Sequence, residues 1–261
     1  MIDAGSLLST RERAFVTKAE SEIAALIADL DHHDKPTIRA AVDALVPLAG
    51  QSADLRALLL ERLTQPEKKN YWPAAYILGQ LPSPNDTVVR VLLDTLDHQE
   101  PDIRWAVALL LVRLARNDDT QIDRLIELSA NGTANQKRMA LYCIRDLSLN
   151  DAASLAALLQ GLCDANPTVR VAAAICLKHR ADLKDNDKSL LLKTYLEDAD
   201  SRARNAAAIV LADLGSPSEE FVVALREASE SDNRERRKTA DAALELLRKR
   251  RSASSDSQSS R

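Results

Sequence analysis

TVRVAAAICLKHR, Thr168–Arg180, is the stretch on which the fold turns. An arginine is followed by small apolar residues, and a leucine stands seven positions after it. The same order recurs in DIRWAVALLLVRL (102–114), NQKRMALYCIRDL (135–147), RARNAAAIVLADL (202–214) and ERRKTADAALELL (235–247). With Arg104, Lys137, Arg170, Arg204 and Arg237 as equivalent base positions, the steps are 33, 33, 34 and 33 residues; stepping back by 33 reaches Tyr71 and then Ile38.

The flanking columns hold this register. Three positions after the base stand Ala41, Ala74, Val107, Ala140, Ala173, Ala207 and Ala240, and seven after it stand Leu45, Leu78, Leu111, Ile144, Leu177, Leu211 and Leu244. Ten after it come Leu48, Leu81, Leu114, Leu147, Leu214 and Leu247, with Arg180 breaking the column and Leu183 able to take its apolar role. Steps of four and three follow the 3.6-residue turn, so the columns mark one buried helical face. Four positions before the base lie Asp34, Glu67, Glu100, Thr133, Asn166, Asp200 and Asn233, mostly residues that cap free N–H groups. Further amphipathic stretches at about 15–30, 52–64, 86–97, 120–130, 151–163, 187–198 and 218–230 make each repeat a helical hairpin. Hairpins of this size cannot bury their faces alone and must stack. The expectation is an all-α chain, an α-solenoid of about seven two-helix repeats with a period of about 33 residues. It divides into an N-terminal segment (1–14), the solenoid (15–250) and a disordered Ser-rich tail (251–261).

Composition agrees. The 261 residues are 46% hydrophobic but only 3% aromatic, a profile of helices packed through Ala and Leu. Basic and acidic residues, 35 against 39, give a net charge of −4 and are dispersed, which argues against nucleic acid as the partner. With no sustained apolar run, a soluble protein of the cytoplasm is expected, without membrane attachment.

The segments DANPTVRVAAAICL, DADSRARNAAAIVLADLG and EPDIRWAVALLLVRLA resemble HEAT repeats, in particular the short repeats of phycobilisome lyase subunits. The resemblance covers about residues 15 to 250 and implies a solenoid whose second helices line a concave surface. It also implies a ladder between repeats, formed by the base arginines with the acidic or Asn residues before the second helix: Asp200 with Arg204, Asn166 with Arg170, and Glu100 or Asp102 with Arg104. Two functions follow from it. One is a non-catalytic scaffold or adaptor that binds a partner protein in its concave groove; the alternative is a bilin lyase-like subunit handling a tetrapyrrole on a partner protein.

Catalytic readings meet chemical objections. HEAT-like deoxyhypusine hydroxylases bind iron through His-Glu pairs, and none of His32, His33, His98 or His179 is followed by Glu. HEAT-like alkylpurine DNA glycosylases need a basic DNA-facing surface, which the acidic balance opposes. Cys143 and Cys176 share one core column and read as buried apolar residues, while Cys163 has no neighbouring His to activate it. His32 and His33 between Asp31 and Asp34 read as a solvated turn. No enzyme activity, metal, cofactor or small-molecule substrate is therefore expected.

What remains is an unusual concentration of aromatics. KNYWPAAYILGQL (69–81) carries Tyr71, Trp72 and Tyr76, and five of the eight aromatics fall on the second helices of repeats two to four. Asn70 is positioned to cap the helix that Pro73 begins. One position after the base stand Arg39, Trp72, Trp105 and Arg138; Tyr76 and Tyr142 follow one turn later. Trp, Tyr and Arg dominate binding hot spots, so Arg39, Trp72, Tyr76, Trp105, Arg138 and Tyr142 are the candidate partner-binding residues, with Trp72 and Trp105 expected to be neighbours.

Overall fold

A computed structural model describes residues 10–64, 71–178, 180, 182–214 and 218–259, with side chains within 20–249. Among the described residues fourteen α-helices follow one another: α1 (Thr10–Asp29), α2 (Lys35–Gln51), α3 (Ala53–Arg62), α4 (Trp72–Gln80), α5 (Asp86–Thr95), α6 (Pro101–Ala115), α7 (Thr120–Asn131), α8 (Ala134–Asp146), α9 (Ala152–Gly161), α10 (Pro167–Leu177), α11 (Asp185–Glu197), α12 (Ser201–Asp213), α13 (Glu219–Ser229) and α14 (Arg234–Ser259). They match the expected hairpins, odd-numbered helices first and even-numbered helices second.

The chain forms two compact units, Met1–Thr95 and Leu96–Arg261. In the first, α2 packs on α1, α3 and α4, and α4 packs on α3 and α5. In the second, the second helices pack in series, α6 on α8, α8 on α10, α10 on α12 and α12 on α14, with α7, α9, α11 and α13 against them.

Side-chain caps start the second helices. The Asp34 carboxylate accepts from the Thr37 N–H at 3.1 Å, Asn166 from Thr168 at 2.9 Å, Asp200 from Arg202 at 2.8 Å and Asn233 from Arg236 at 3.1 Å. Thr133 and Gln136 form a reciprocal capping box, each side chain accepting the other's backbone N–H. The second repeat departs from the register. Elsewhere the base is the fourth helical residue, whereas Tyr71 is the N-cap of α4 and makes no side-chain cap. Pro73 accounts for this: a helix begun four residues earlier would need the N–H that proline lacks and would press its ring on the preceding turn. Asn70, the expected cap, and Glu67 lie outside the described residues.

Burial follows the columns with one shift. The whole column three after the base is buried, as are six of the seven residues seven after it, Leu244 being half-buried. Of the leucines ten after the base only Leu247 is buried, and the others are half-exposed. Leu81, Leu147 and Leu214 are C-cap residues, so this column lies where the helices run out. The core face instead includes position six, where Ile77, Leu110, Cys143, Cys176, Val210 and Ala243 are all buried. In the fifth repeat α10 ends at Leu177, Leu183 is buried, and Arg180 is 6% exposed. The Arg180 guanidinium donates to the Leu149 carbonyl, the Ser154 hydroxyl (3.1 Å), the Asp151 carbonyl (3.3 Å) and both carboxylate oxygens of Asp182 (2.8 and 2.6 Å).

The ladder exists with different acids. Arg104, Arg170, Arg204 and Arg237 each donate to carbonyls in the turn just before their own helix, and so hold that turn closed. Between repeats, Lys137 reaches Asp164 at 2.9 Å and Arg170 grips Asp198 through two bonds of 2.7 Å. Asp164 and Asp198 stand two residues before the caps Asn166 and Asp200, whose N–H groups they also accept at 2.8 Å. The cap residues are occupied by their own helix starts, which frees the earlier acid to face the neighbouring repeat.

Helix α14 continues through Ser259 into the stretch whose sequence predicts a disordered tail. SASSDSQS (252–259) is polar but contains neither Gly nor Pro, so nothing in it stops a helix already under way.

Candidate functional site

The six candidate residues divide three and three between the units. In the first, Arg39 is exposed on α2, and Trp72 and Tyr76 are half-buried on α4. The two rings are one turn apart and meet edge to face, with centroids 6.4 Å apart and planes at 73°.

In the second unit, Trp105 on α6 is 40% exposed and stacks on Tyr142 of α8, centroids 5.1 Å apart and planes at 26°. The Arg145 guanidinium lies over the Tyr142 ring, 5.0 Å from its centroid. It also donates to Asp146 at 2.7 Å. Burial pushes the Tyr142 phenol above its usual range, so the hydroxyl keeps its proton. Arg138 is half-buried, with one bond of 3.3 Å to the Asn135 side chain and a buried Nε that has no acceptor. Burial first, and the charge of Arg138 second, push the nearby Arg104 guanidinium below its usual range.

More of this face belongs together than the six residues named from sequence. Leu109 is 62% exposed and Ile175 is 38% exposed, and both stand five positions after the base, in the column of Tyr142. A cleft of about 630 Å³ opens beside them, with Arg113, Arg116, Arg145, Asp146 and Lys178 also in its lining. Positions one, five, eight and twelve after a base fall within a quarter turn of a helix, which unites Trp105, Leu109, Arg116, Arg145 and Lys178 on one surface. Periodicity was the available signal: the fifth-position column continues to Ile175, and the eighth position is basic in two successive repeats.

The remaining chemistry-bearing groups are committed elsewhere. Cys143 and Cys176 are buried, their thiols directed at the carbonyls of Ala108 (3.7 Å) and Leu141 (3.4 Å). Burial pushes Cys176 up to about 12 and Cys143 still further. Cys163 is exposed. His32 and His33 are exposed and stack at 4.3 Å, and the His32 Nδ1 accepts the Asp34 N–H at 3.0 Å. His179 lies outside the described residues. Among the described residues no three His, Cys, Asp or Glu side chains gather as a metal site would require, and no helix is long and apolar enough to cross a membrane.

Residues 155–245 match the HEAT repeats family model. No curated protein matches the sequence. Among solved structures, the chain is similar to importin β, at 16% identity and a TM-score of 0.55 over 87% of this chain and 33% of that one. It is likewise similar to Kap121p, at 11% identity and a TM-score of 0.59 over 93% and 31%, including the form bound to Ste12p. Human deoxyhypusine hydroxylase aligns with a TM-score of 0.40 at 15% identity, over 87% of this chain and 84% of that one. The chain spans about a third of the length of importin β and of Kap121p. The family match and the likenesses to importin β and Kap121p show the fold, an all-α solenoid of HEAT-like repeats.

Proposed function

We propose that this HEAT-like solenoid is a non-catalytic scaffold that binds a partner protein through the exposed side of its second helices. The observation that carries this reading is the surface of α6, α8 and α10, where Trp105 and Leu109 on α6 and Ile175 on α10, two repeats on and in the column of Leu109, are exposed large apolar side chains. Exposed apolar groups gathered on one face mark interaction sites, whereas single ones need no explanation. Preorganisation supports it: stacking on Tyr142 fixes the indole of Trp105, and Arg145 braces the tyrosine, so little side-chain freedom is lost on binding. Arg39, Trp72 and Tyr76 are assigned to the same role in the first unit.

Affinity capture from source-cell lysate tests the assignment, comparing wild type with Trp105→Ala/Tyr142→Ala and with Trp72→Ala by quantitative mass spectrometry. Truncating a hot-spot aromatic costs about 2 to 4 kcal/mol, so a partner held there loses roughly 30-fold or more in affinity. Selective loss of a captured protein with helicity preserved supports the scaffold. Identical capture by folded variants sinks it.

A further inference from the structure

The charge around the α6–α10 cleft defines the partner more narrowly, on the premise that this face is the binding surface. Arg113 and Arg116 at the end of α6, Arg145 on α8 and Lys178 after α10 line the cleft, and among the described lining residues the one acid is Asp146, whose carboxylate is bonded to Arg145 and whose carbonyl accepts from Arg116 at 3.3 Å. Four cations thus converge on a cleft of about 630 Å³ in a chain whose net charge is −4. Low-dielectric walls concentrate such a field and draw in anionic groups. Leu109 and Ile175 form the apolar part of the wall, and the Trp105–Tyr142 stack continues it.

We propose that this cleft docks an acidic, apolar-containing peptide segment of a partner protein, its Leu- or aromatic-type side chains against Leu109 and Ile175 and its carboxylates on Arg113, Arg116 and Lys178. Bidentate carboxylate recognition suits arginine, and a segment offering both chemistries is the one that satisfies both parts of the lining. A nucleic acid would use the cations and leave the aliphatic wall without a partner. The chain's own C-terminal stretch carries Lys249, Arg250 and Arg251 and is repelled by this cleft. A second copy meeting the same face across a two-fold axis would oppose like charges.

The test is fluorescence anisotropy with a labelled synthetic peptide of Asp-Glu pairs alternating with Leu pairs, against its Lys-for-acid counterpart, polyglutamate and single-stranded oligothymidylate. Wild type is expected to bind the acidic-apolar peptide, and both Arg113→Glu/Lys178→Glu and Leu109→Asp to weaken it by about tenfold or more. The charge-reversed variant is expected to gain affinity for the Lys peptide, which simple unfolding cannot produce; these side chains lie at the surface, and circular dichroism verifies each variant. Equal binding of polyglutamate or oligothymidylate would reduce the cleft to an anion site and overturn the proposal. So would an absence of peptide binding, or a dimer in sedimentation that Leu109→Asp abolishes. If lysate capture depends on Trp105 while the acidic peptide fails to bind, the charge assignment falls and the scaffold reading stands.

Discussion

Replacing Arg180 by methionine is the substitution that most directly probes how the fifth repeat is held. Methionine keeps an unbranched apolar stem of similar reach, so little void forms and the loss is that of the guanidinium's bonds. Three of these go to neutral acceptors, the Leu149 and Asp151 carbonyls and the Ser154 hydroxyl, and Ser154 is fully buried. Hydrogen bonds from a charged donor contribute about 1.5 to 3 kcal/mol each when one partner is deleted. Against this stands the relief of no longer burying a cation, which offsets several kcal/mol. The Asp182 bridge adds about 1 kcal/mol or less, because that carboxylate is 41% exposed. The expected net loss is about 3 kcal/mol, concentrated where the loop before α9 meets the end of α10. Because stacked repeats open locally, hydrogen exchange resolved along the chain is the appropriate assay, and amides at the start of α9 are expected to exchange about 100-fold faster. Acid titration supplies a second readout. The hydrogen bond from Arg180 holds the Asp182 carboxyl below its usual range, so its contribution is complete above the unfolded carboxylate value and is lost as pH falls through the lower folded one. The variant lacks that step, and the two proteins draw closer in stability in strong acid. Unchanged or slower exchange at α9 would refute the reasoning and make Arg180 one of the buried ions that an apolar residue replaces without loss.

Three further outcomes are expected. A Cβ at Gly161 would lie 2.9 Å from the Ala173 Cβ and 3.1 Å from the Leu141 Cδ1, so Gly161→Ala is expected to lose about 1 kcal/mol in denaturant unfolding despite a helix-propensity gain of about 1 kcal/mol; a stabilised variant would show that α9 shifts freely. Asp198→Asn removes the charge from the paired bonds with Arg170 and is expected to cost about 1 to 2 kcal/mol at neutral pH. Arg170 holds the Asp198 carboxyl below its usual range, so that difference fades as pH falls through the folded value, and a pH-independent difference would count against the ladder. Native protein is expected to yield one thiol, Cys163, to a disulfide reagent and three after unfolding, since the other two are buried and their ionisation is pushed up; rapid labelling of Cys143 or Cys176 would show that the core opens readily.

The repeat register was legible because it is written in the residues that cannot vary: a small side chain three positions after the base and a large aliphatic one seven after it. Where a local residue overrides the column, the sequence misleads. Pro73 moves the start of α4, and at position ten three of the helices, α4, α8 and α12, reach their C-caps before leucine can be buried. The ladder was legible in kind but not in partner, because Asp164 and Asp198 look like capping residues until the caps are seen to be filled by Asn166 and Asp200. The aromatics stood out by their rarity. Leu109, Ile175, Arg113, Arg116, Arg145 and Lys178 did not, since each is ordinary on its own helix and acquires meaning only when side chains some thirty residues apart are set next to one another.

The buried alanine column carries an implication for how such a chain can change. Its members are all buried, and the residues that face solvent occupy other positions of the same helices. What fixes the distance between neighbours and what a visiting molecule meets are thus recorded in separate letters of one text. A duplication or loss of one whole repeat preserves the first record, while point changes at positions one and five rewrite the second. Specificity in this architecture can drift, lengthen or be redesigned without renegotiating the interior.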